Sequence, residues 1–346
     1  MTTKAKTLEQ TKGKFKVVGK IKGIDNEKAY RQGVTKNGDD YQSINFLIET
    51  SPNNTVGVEL FGMKTDEVMI MNFKEKDKRK RKKYIDWDDR YSDHGDFELV
   101  GTVTVKDDAS KKKGDRLMQY EAVESIFENF EEGEWVECRG QIDFESWETD
   151  EGEVKTRYKM KLNMLVKIKE RNFEDEKFKE VNEFAQTIVV NELEVDKETH
   201  RLLIHSKVID YKSNIIDSAL VIDIEKYKKL ATNLKKRLKF GDQIRLVGKI
   251  RNEVEYVKAE DEVEEDDEDW GGDSVSIEED YQRNLIRELL VTGVVKKTHE
   301  EGKYSEEDLF NEDEENFGSD ESDDELDDLD DDEFDIDDDD IPFDEE

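Results

Sequence analysis

The chain reads as mainly β: two tandem five-stranded barrels followed by a disordered acidic tail. Three observations predict this. Residues 14–24, 41–50 and 55–61 alternate apolar and polar side chains, the period of half-buried strands. The order three strands, helix, two strands then occurs twice. Finally, Gly133-Glu134-Trp135-Val136-Glu137-Cys138-Arg139-Gly140-Gln141-Ile142 matches Gly241-Asp242-Gln243-Ile244-Arg245-Leu246-Val247-Gly248-Lys249-Ile250, each run following a helix and preceding a last strand. That order is the Greek-key barrel called the OB-fold. It places one barrel at residues 12–170, with a basic insertion at 62–117. The other spans 183–298, with an acidic loop at 257–283, and the tail occupies 301–346.

In the first strand, Phe15, Val17 and Ile21 face the core, opposite Lys14, Lys16, Lys20 and Lys22. Residues 25–40 read as a loop holding Lys28, Tyr30, Arg31 and Lys36, with a turn at Asn37-Gly38. Next, Ile44, Phe46 and Ile48 point inward and Tyr41 outward. After the turn at Pro52-Asn53-Asn54 the chain returns with Val56, Val58 and Leu60 inward and Phe61 outward. The insertion has strand-like pieces at 68–73 and 97–105. Between them runs Lys-Glu-Lys-Asp-Lys-Arg-Lys-Arg-Lys-Lys, then Tyr84 and Trp87. Val123, Ile126, Phe127 and Phe130 form a helical stripe over 117–130. Residues 135–144 and 158–169 complete the first round, the latter in strict alternation. The second round has strands at 184–195, 201–211 and 215–224, a helix at 227–240, and strands at 243–254 and 285–297.

The formal net charge is −37 in 346 residues, and it is concentrated at one end. Residues 1–260 hold 50 Lys+Arg and 51 Asp+Glu, whereas 261–346 hold 5 and 41. The barrels are thus nearly neutral, with local basic runs of the kind that hold phosphates. Cys138 is the only cysteine, which excludes an internal disulfide or a thiolate-rich zinc site. The four histidines lack metal spacing. No apolar run is long enough to span a membrane, and no signal peptide is read, so a cytoplasmic location is expected. No phosphate-cradling glycine loop or nucleophile elbow occurs, and Asp86, Asp88 and Asp89 are the one compact cluster of the folded part to test for nuclease chemistry. The expectation is a binder without catalysis, cofactor or metal.

Flat rings stack on any base and cations hold phosphates, which together give sequence-tolerant binding of single strands. The expected contacts on the face of strands two and three and in its flanking loops are Tyr30, Arg31, Lys36, Tyr41, Phe61, Trp147 and Arg157. The insertion adds Lys78, Arg79, Lys80, Arg81, Tyr84 and Trp87, in a loop able to close over a strand. The helix at 227–240 carries a row of lysines that either docks the acidic tail or is solvated.

Residues 320–346 cannot collapse, because their carboxylates repel and offer little apolar surface. Near their end stand Asp339, Asp340, Ile341, Pro342 and Phe343, two large apolar groups on an acidic string and thus a peptide ligand. Here the chain resembles bacterial single-stranded-DNA-binding proteins, whose acidic tails finish in Asp-Asp-Ile-Pro-Phe. It departs from them in carrying Asp344-Glu345-Glu346 beyond that element. With two barrels in one chain, its design resembles the phage-type members. The resemblance implies coating of single-stranded DNA in replication, recombination and repair, with recruitment of partner proteins through the tail, in an infected bacterial cell. An RNA-binding protein, or a protein-interaction adaptor whose tail mimics nucleic acid, are the alternative readings.

Overall fold

The computed structural model describes residues 8–149, 152–258 and 281–310. The expectations for the acidic tail, including Asp339 to Phe343, and for most of the acidic loop at 257–283 lie outside the described residues.

The first unit opens with β1 (Gly13–Lys22), β2 (Tyr30–Val34), β3 (Asp40–Ser51) and β4 (Asn54–Lys64). An insertion follows: β5 (Glu67–Met71), the single turn α1 (Lys78–Arg81), β6 (Lys82–Asp86) and β7 (Glu98–Leu99). Then come β8 (Thr102–Lys106), β9 (Asp115–Met118), α2 (Gln119–Asn129), β10 (Trp135–Glu148) and β11 (Val154–Lys167). β1 pairs with β3, β3 with β4, β4 in parallel with β11, β11 with β10, and β10 with β1, so the five strands close on themselves. The interior is the apolar set that alternation predicts, with Ile44, Phe46, Ile48, Val56, Val58 and Leu60 all buried.

The second unit repeats the circuit with β12 (Val181–Asp196), β13 (Arg201–Ile209), β14 (Ile215–Asp223), α3 (Lys228–Arg237), β15 (Gln243–Lys258) and β16 (Tyr281–Val294). Again the third strand meets the fifth in parallel, at Val221 and Leu290. The two units share one sheet because β1 also pairs antiparallel with β12. Asn54, buried at the start of β4, reinforces the junction. Its amide donates to the Ile250 carbonyl and to Glu180 Oε1, each at 3.0 Å, and its oxygen accepts from the Asn252 N–H at 2.8 Å.

The sequence repeat has a structural cause. A Cβ on Gly140 would lie 1.9 Å from the Lys161 carbonyl oxygen, and one on Gly248 would lie 2.0 Å from that of Leu290. Each glycine also faces a core phenylalanine, Phe15 or Phe184. At each the register slips by one residue, so Asn163 and Thr292 bulge from their ladders. Gly133 and Gly241, both at positive φ, each donate a 2.9 Å N–H bond to the unit's first strand, at Ile21 near the end of β1 and at Val190 beside the bulge of β12.

Four expectations are corrected here. Residues 25–40 are not all loop, because β2 extends the β3 ladder from Tyr30 to Val34. The strict alternation read for 158–169 breaks at the Asn163 bulge, which buries Leu165 in place of Met164. Phe127 is 47 % exposed rather than part of the core stripe. Residues 301–310, assigned to the tail, instead pack on the second unit. There Tyr304 and Leu309 are buried with Val189 and Ile209, and the last turn, α4 (Glu306–Phe310), stacks Phe310 on Phe240.

Candidate nucleic-acid interface

The pairing of β2, β3 and β4 sorts side chains into rows. One row on the outer face is Gly33–Tyr41–Met63, and the next is Arg31–Ser43–Phe61. Leu47 is exposed on the same face, opposite Gly57. Tyr41 and Phe61 stack at 5.6 Å between centroids and 24° between planes, leaving Phe61 51 % exposed. Gly33 allows this. A Cβ there would stand 2.9 Å from the Tyr41 ring, so the missing side chain lets the phenol lie across β2. Arg31 is exposed in the same row as Phe61, across Ser43 from it, and Lys36 is exposed in the turn closed by Thr35 and Asp39.

The face continues onto β11 and β10 through a chain of ion pairs. Lys159 Nζ sits 3.4 Å from Glu59 and 2.5 Å from Glu145, and Arg157 donates to Glu145 Oε2 at 2.9 and 3.0 Å. Burial works against ionisation of Glu145, but the bonds from Lys159 and Arg157 outweigh it and hold the carboxyl below its ordinary range. The Arg157 guanidinium also lies 5.3 Å from the ring of Trp147, which is 42 % exposed near the β10–β11 hairpin tip. Arg31, Tyr41, Phe61, Trp147 and Arg157 therefore share one outer surface.

Other expected contacts lie elsewhere. Tyr30 pairs with Ile44 in register and so falls on the core side, where it stacks on Phe127 of α2 at 4.4 Å. Its hydroxyl pKa is raised, first by burial and then by Glu124, Tyr120 and Glu128. Trp87, at 6 % exposure, is an anchor rather than a stacking platform. It meets Tyr120 edge-on and carries the Arg90 guanidinium 4.4 Å from its ring. Arg90 and Tyr91 both bond Glu121 of α2. Burial opposes ionisation of Glu121, yet these bonds hold its pKa below the ordinary value. The insertion is thereby clamped to the helix.

The basic run is not an open loop. Asp77 caps α1 by accepting from the Arg79 N–H, and β6 pairs with β5 in a separate three-stranded sheet. Lys78, Arg79 and Lys80 are exposed on that turn, with Lys80 3.9 Å from Asp77. Arg81 folds back to donate to the Glu75 carbonyl at 3.2 Å. Tyr84, 47 % exposed, pairs with Met69 in the same small sheet. Leu47 faces outward as period two predicts. Met63 is the surface group that the sequence reading missed, because it lies past the end of the strand as read from sequence.

The second unit carries the same frame with different side chains. Aligning the ladders of β12, β13 and β14 on those of β1, β3 and β4 sets Asp223 where Phe61 stands and His205 where Leu47 stands, while β13 begins only at Arg201, so the count to Tyr41 runs past the strand into the turn at Thr199. No ring occupies that face at the positions of Tyr41 and Phe61. Among the described residues no cluster of three or more metal-ligating groups occurs, and no helix is long and apolar enough to cross a membrane.

Fold and site together define a mainly β protein with two closed strand circuits, one of which presents stacked rings and cations outward. The family model described as YorF matches residues 12–328, and the chain belongs to that family. No curated protein sequence matches it. Among solved structures it is similar to the wild-type single-stranded DNA binding protein from Thermus aquaticus, at 9 % identity and a TM-score of 0.35 over 71 % of this chain and 87 % of that one. A deletion mutant of that protein gives 11 % and 0.37, covering 71 % and 89 %. The Plasmodium falciparum protein in complex with single-stranded DNA gives 10 % and 0.22, covering 47 % and 99 %. At TM-scores this low, the fold rests on its own strand pairings.

Proposed function

We propose that this chain is a sequence-independent single-stranded DNA binding protein without catalytic activity, built on two OB barrels, that contacts DNA through the outer face of β2, β3 and β4. One observation carries the reading: Phe61 is half exposed and stacked on Tyr41, with Arg31 in the same row across Ser43, on the outer side of a closed barrel. Bases are sandwiched or capped by such rings whatever their sequence, while neighbouring cations hold the backbone. Trp147 and Arg157 extend the track, and the basic turn Lys78-Arg79-Lys80 supplies phosphate contacts from the insertion. The role proposed is coating of exposed strands during replication, recombination and repair in the cytoplasm of an infected bacterial cell. Partner proteins are recruited through Asp339, Asp340, Ile341, Pro342 and Phe343.

The test is a titration of labelled oligothymidylate with the full chain and with Tyr41→Ala and Phe61→Ala. Each stack removed weakens binding by about 1–3 kcal/mol. Unchanged affinity in both, with folding intact, overturns the assigned face. Parallel titrations with duplex DNA and with RNA separate the DNA reading from the RNA one, because stacking needs unpaired bases and the 2′-hydroxyl distinguishes the two single strands.

A further inference from the structure

The helices of the two units carry opposite charge. α2 holds Glu121, Glu124 and Glu128 and no Lys or Arg. On α3 and its flank, Lys228, Lys229, Lys235, Lys236, Arg237 and Lys239 are all exposed. Of the cations in this region only Lys226 has a carboxylate partner among the described residues, Asp223 at 3.6 Å. The contrast with the outer face of the first unit is sharp, since Arg157, Lys159 and Lys161 there each have a carboxylate within 3.4 Å. Five like charges on one short helix, with Lys239 just past its end, repel one another, and no carboxylate among the described residues pairs with them.

A second observation points to what offsets it. Phe310, the last described residue, stacks on Phe240 at 6.0 Å and 15°, three residues past the end of α3. Lys207 Nζ lies 4.9 Å from the Phe310 ring, and Tyr304 and Leu309 pin the same segment to the second unit. The chain that follows, residues 311–346, holds 23 Asp+Glu and no Lys or Arg. It therefore starts beside the C-terminal end of the cationic helix, where Lys235, Lys236 and Arg237 are clustered. A 10-residue helix is about 15 Å long, a span that roughly five extended residues cover.

We infer that α3 is the docking surface for the acidic segment 311–346 of this same chain, with the Phe240–Phe310 stack setting its point of entry. Tethering gives the segment a local concentration on the order of millimolar, far above that of a second copy or a free acidic protein in dilute solution. The second unit then has a task distinct from that of the first: it holds the acidic segment at α3, a different element from the ring face on β3 and β4. The inference does not depend on DNA binding.

Cys138 is the only cysteine and is fully buried, so a spin label at Ser319→Cys in the full chain reports from a single place nine residues past Phe310. Paramagnetic broadening of backbone amides is read without nucleic acid, so its failure leaves the proposed DNA face untouched. The expected result is loss of the α3 amide signals at 0.1 M salt. They return at 1 M, where the Debye length shrinks from ~10 to ~3 Å. They also return at 0.1 M in the Lys235→Glu, Lys236→Glu, Arg237→Glu variant, whose exposed substitutions leave the fold in place. Broadening centred on β3 and β4 instead, or spread evenly over the surface, overturns the inference. So does broadening of an unlabelled isotope-enriched chain mixed with labelled natural-abundance chain, which would place the segment on another copy.

Discussion

The two units share a frame and differ in what they hang on it. Gly140 and Gly248 meet the same obstacle, a backbone carbonyl that a Cβ would strike, and each sits at a one-residue bulge facing a core phenylalanine. The frame is therefore dictated by backbone sterics common to both. The outer faces diverge: Phe61 in the first unit corresponds to Asp223 in the second, and the second strand of that unit starts too late to carry a counterpart of Tyr41. The interiors diverge less. Ser206 and Ser218 replace Ile48 and Val56 and satisfy each other's hydroxyls at 2.8 Å. The lesson is that a repeated fold constrains the inward half of each strand and leaves the outward half open to specialise.

The largest effect expected on this comparison is at the shared frame. Gly140→Val or Gly248→Val forces backbone apart and costs on the order of 4 kcal/mol or more, enough to unfold a marginal domain. Chemical denaturation followed by circular dichroism reads it. A tolerated valine at either site would break the equivalence of the two circuits. At the junction, Asn54→Ala removes the acceptor of the Asn252 N–H and one of two side-chain donors to the Ile250 carbonyl, which keeps the Asn182 amide. It destabilises by about 1–3 kcal/mol, and the loss appears as faster hydrogen exchange in β4 and β15.

Much of this frame was legible. Alternation gave the inward sets of β3 and β4, and the spacing of Gly133 and Gly140 against Gly241 and Gly248 announced the repeat. The misses share a cause, which is that direction and partner come from distant chain. Tyr30 carries no alternating signal of its own and faces inward only because β2 is registered by β3. Trp87, between a basic run and acidic residues, has the composition of a binding loop, but Tyr120 and Arg90 enclose it. Phe127 keeps helical period with Val123 and yet lands at the edge of the stripe, where Tyr30 covers one of its faces. Tyr304 and Leu309 sit in an acid-rich stretch whose composition hides two buried anchors.

Smaller effects sharpen the comparison within the first unit. Gly33→Val displaces the Tyr41 ring without removing it, so oligothymidylate affinity falls by part of the ~1–3 kcal/mol that a full stack contributes. Neutralising Lys78, Arg79 and Lys80 lowers the log–log salt slope of binding by about 0.7 for each phosphate no longer held. An unchanged slope would assign that turn to solvent. The Glu121 clamp adds a pH dependence. Its folded pKa lies below the ordinary glutamate value, so the stabilisation is fully present above roughly pH 4.3, the unfolded value, and is lost as pH falls through the folded one. Hydrogen exchange in β5 and β6 should accelerate over that acid range, and Glu121→Gln should flatten the dependence.

The central claim is that single-stranded DNA is held by the outer face of one unit and not by its counterpart in the other. Hydrogen-exchange footprinting of the full chain with saturating oligothymidylate tests this directly. The account predicts protection across β3 and β4, centred on Tyr41 and Phe61, and none across β13 and β14 between Thr199 and Asp223. Equal protection of both faces, or protection of β13 and β14 alone, would contradict it.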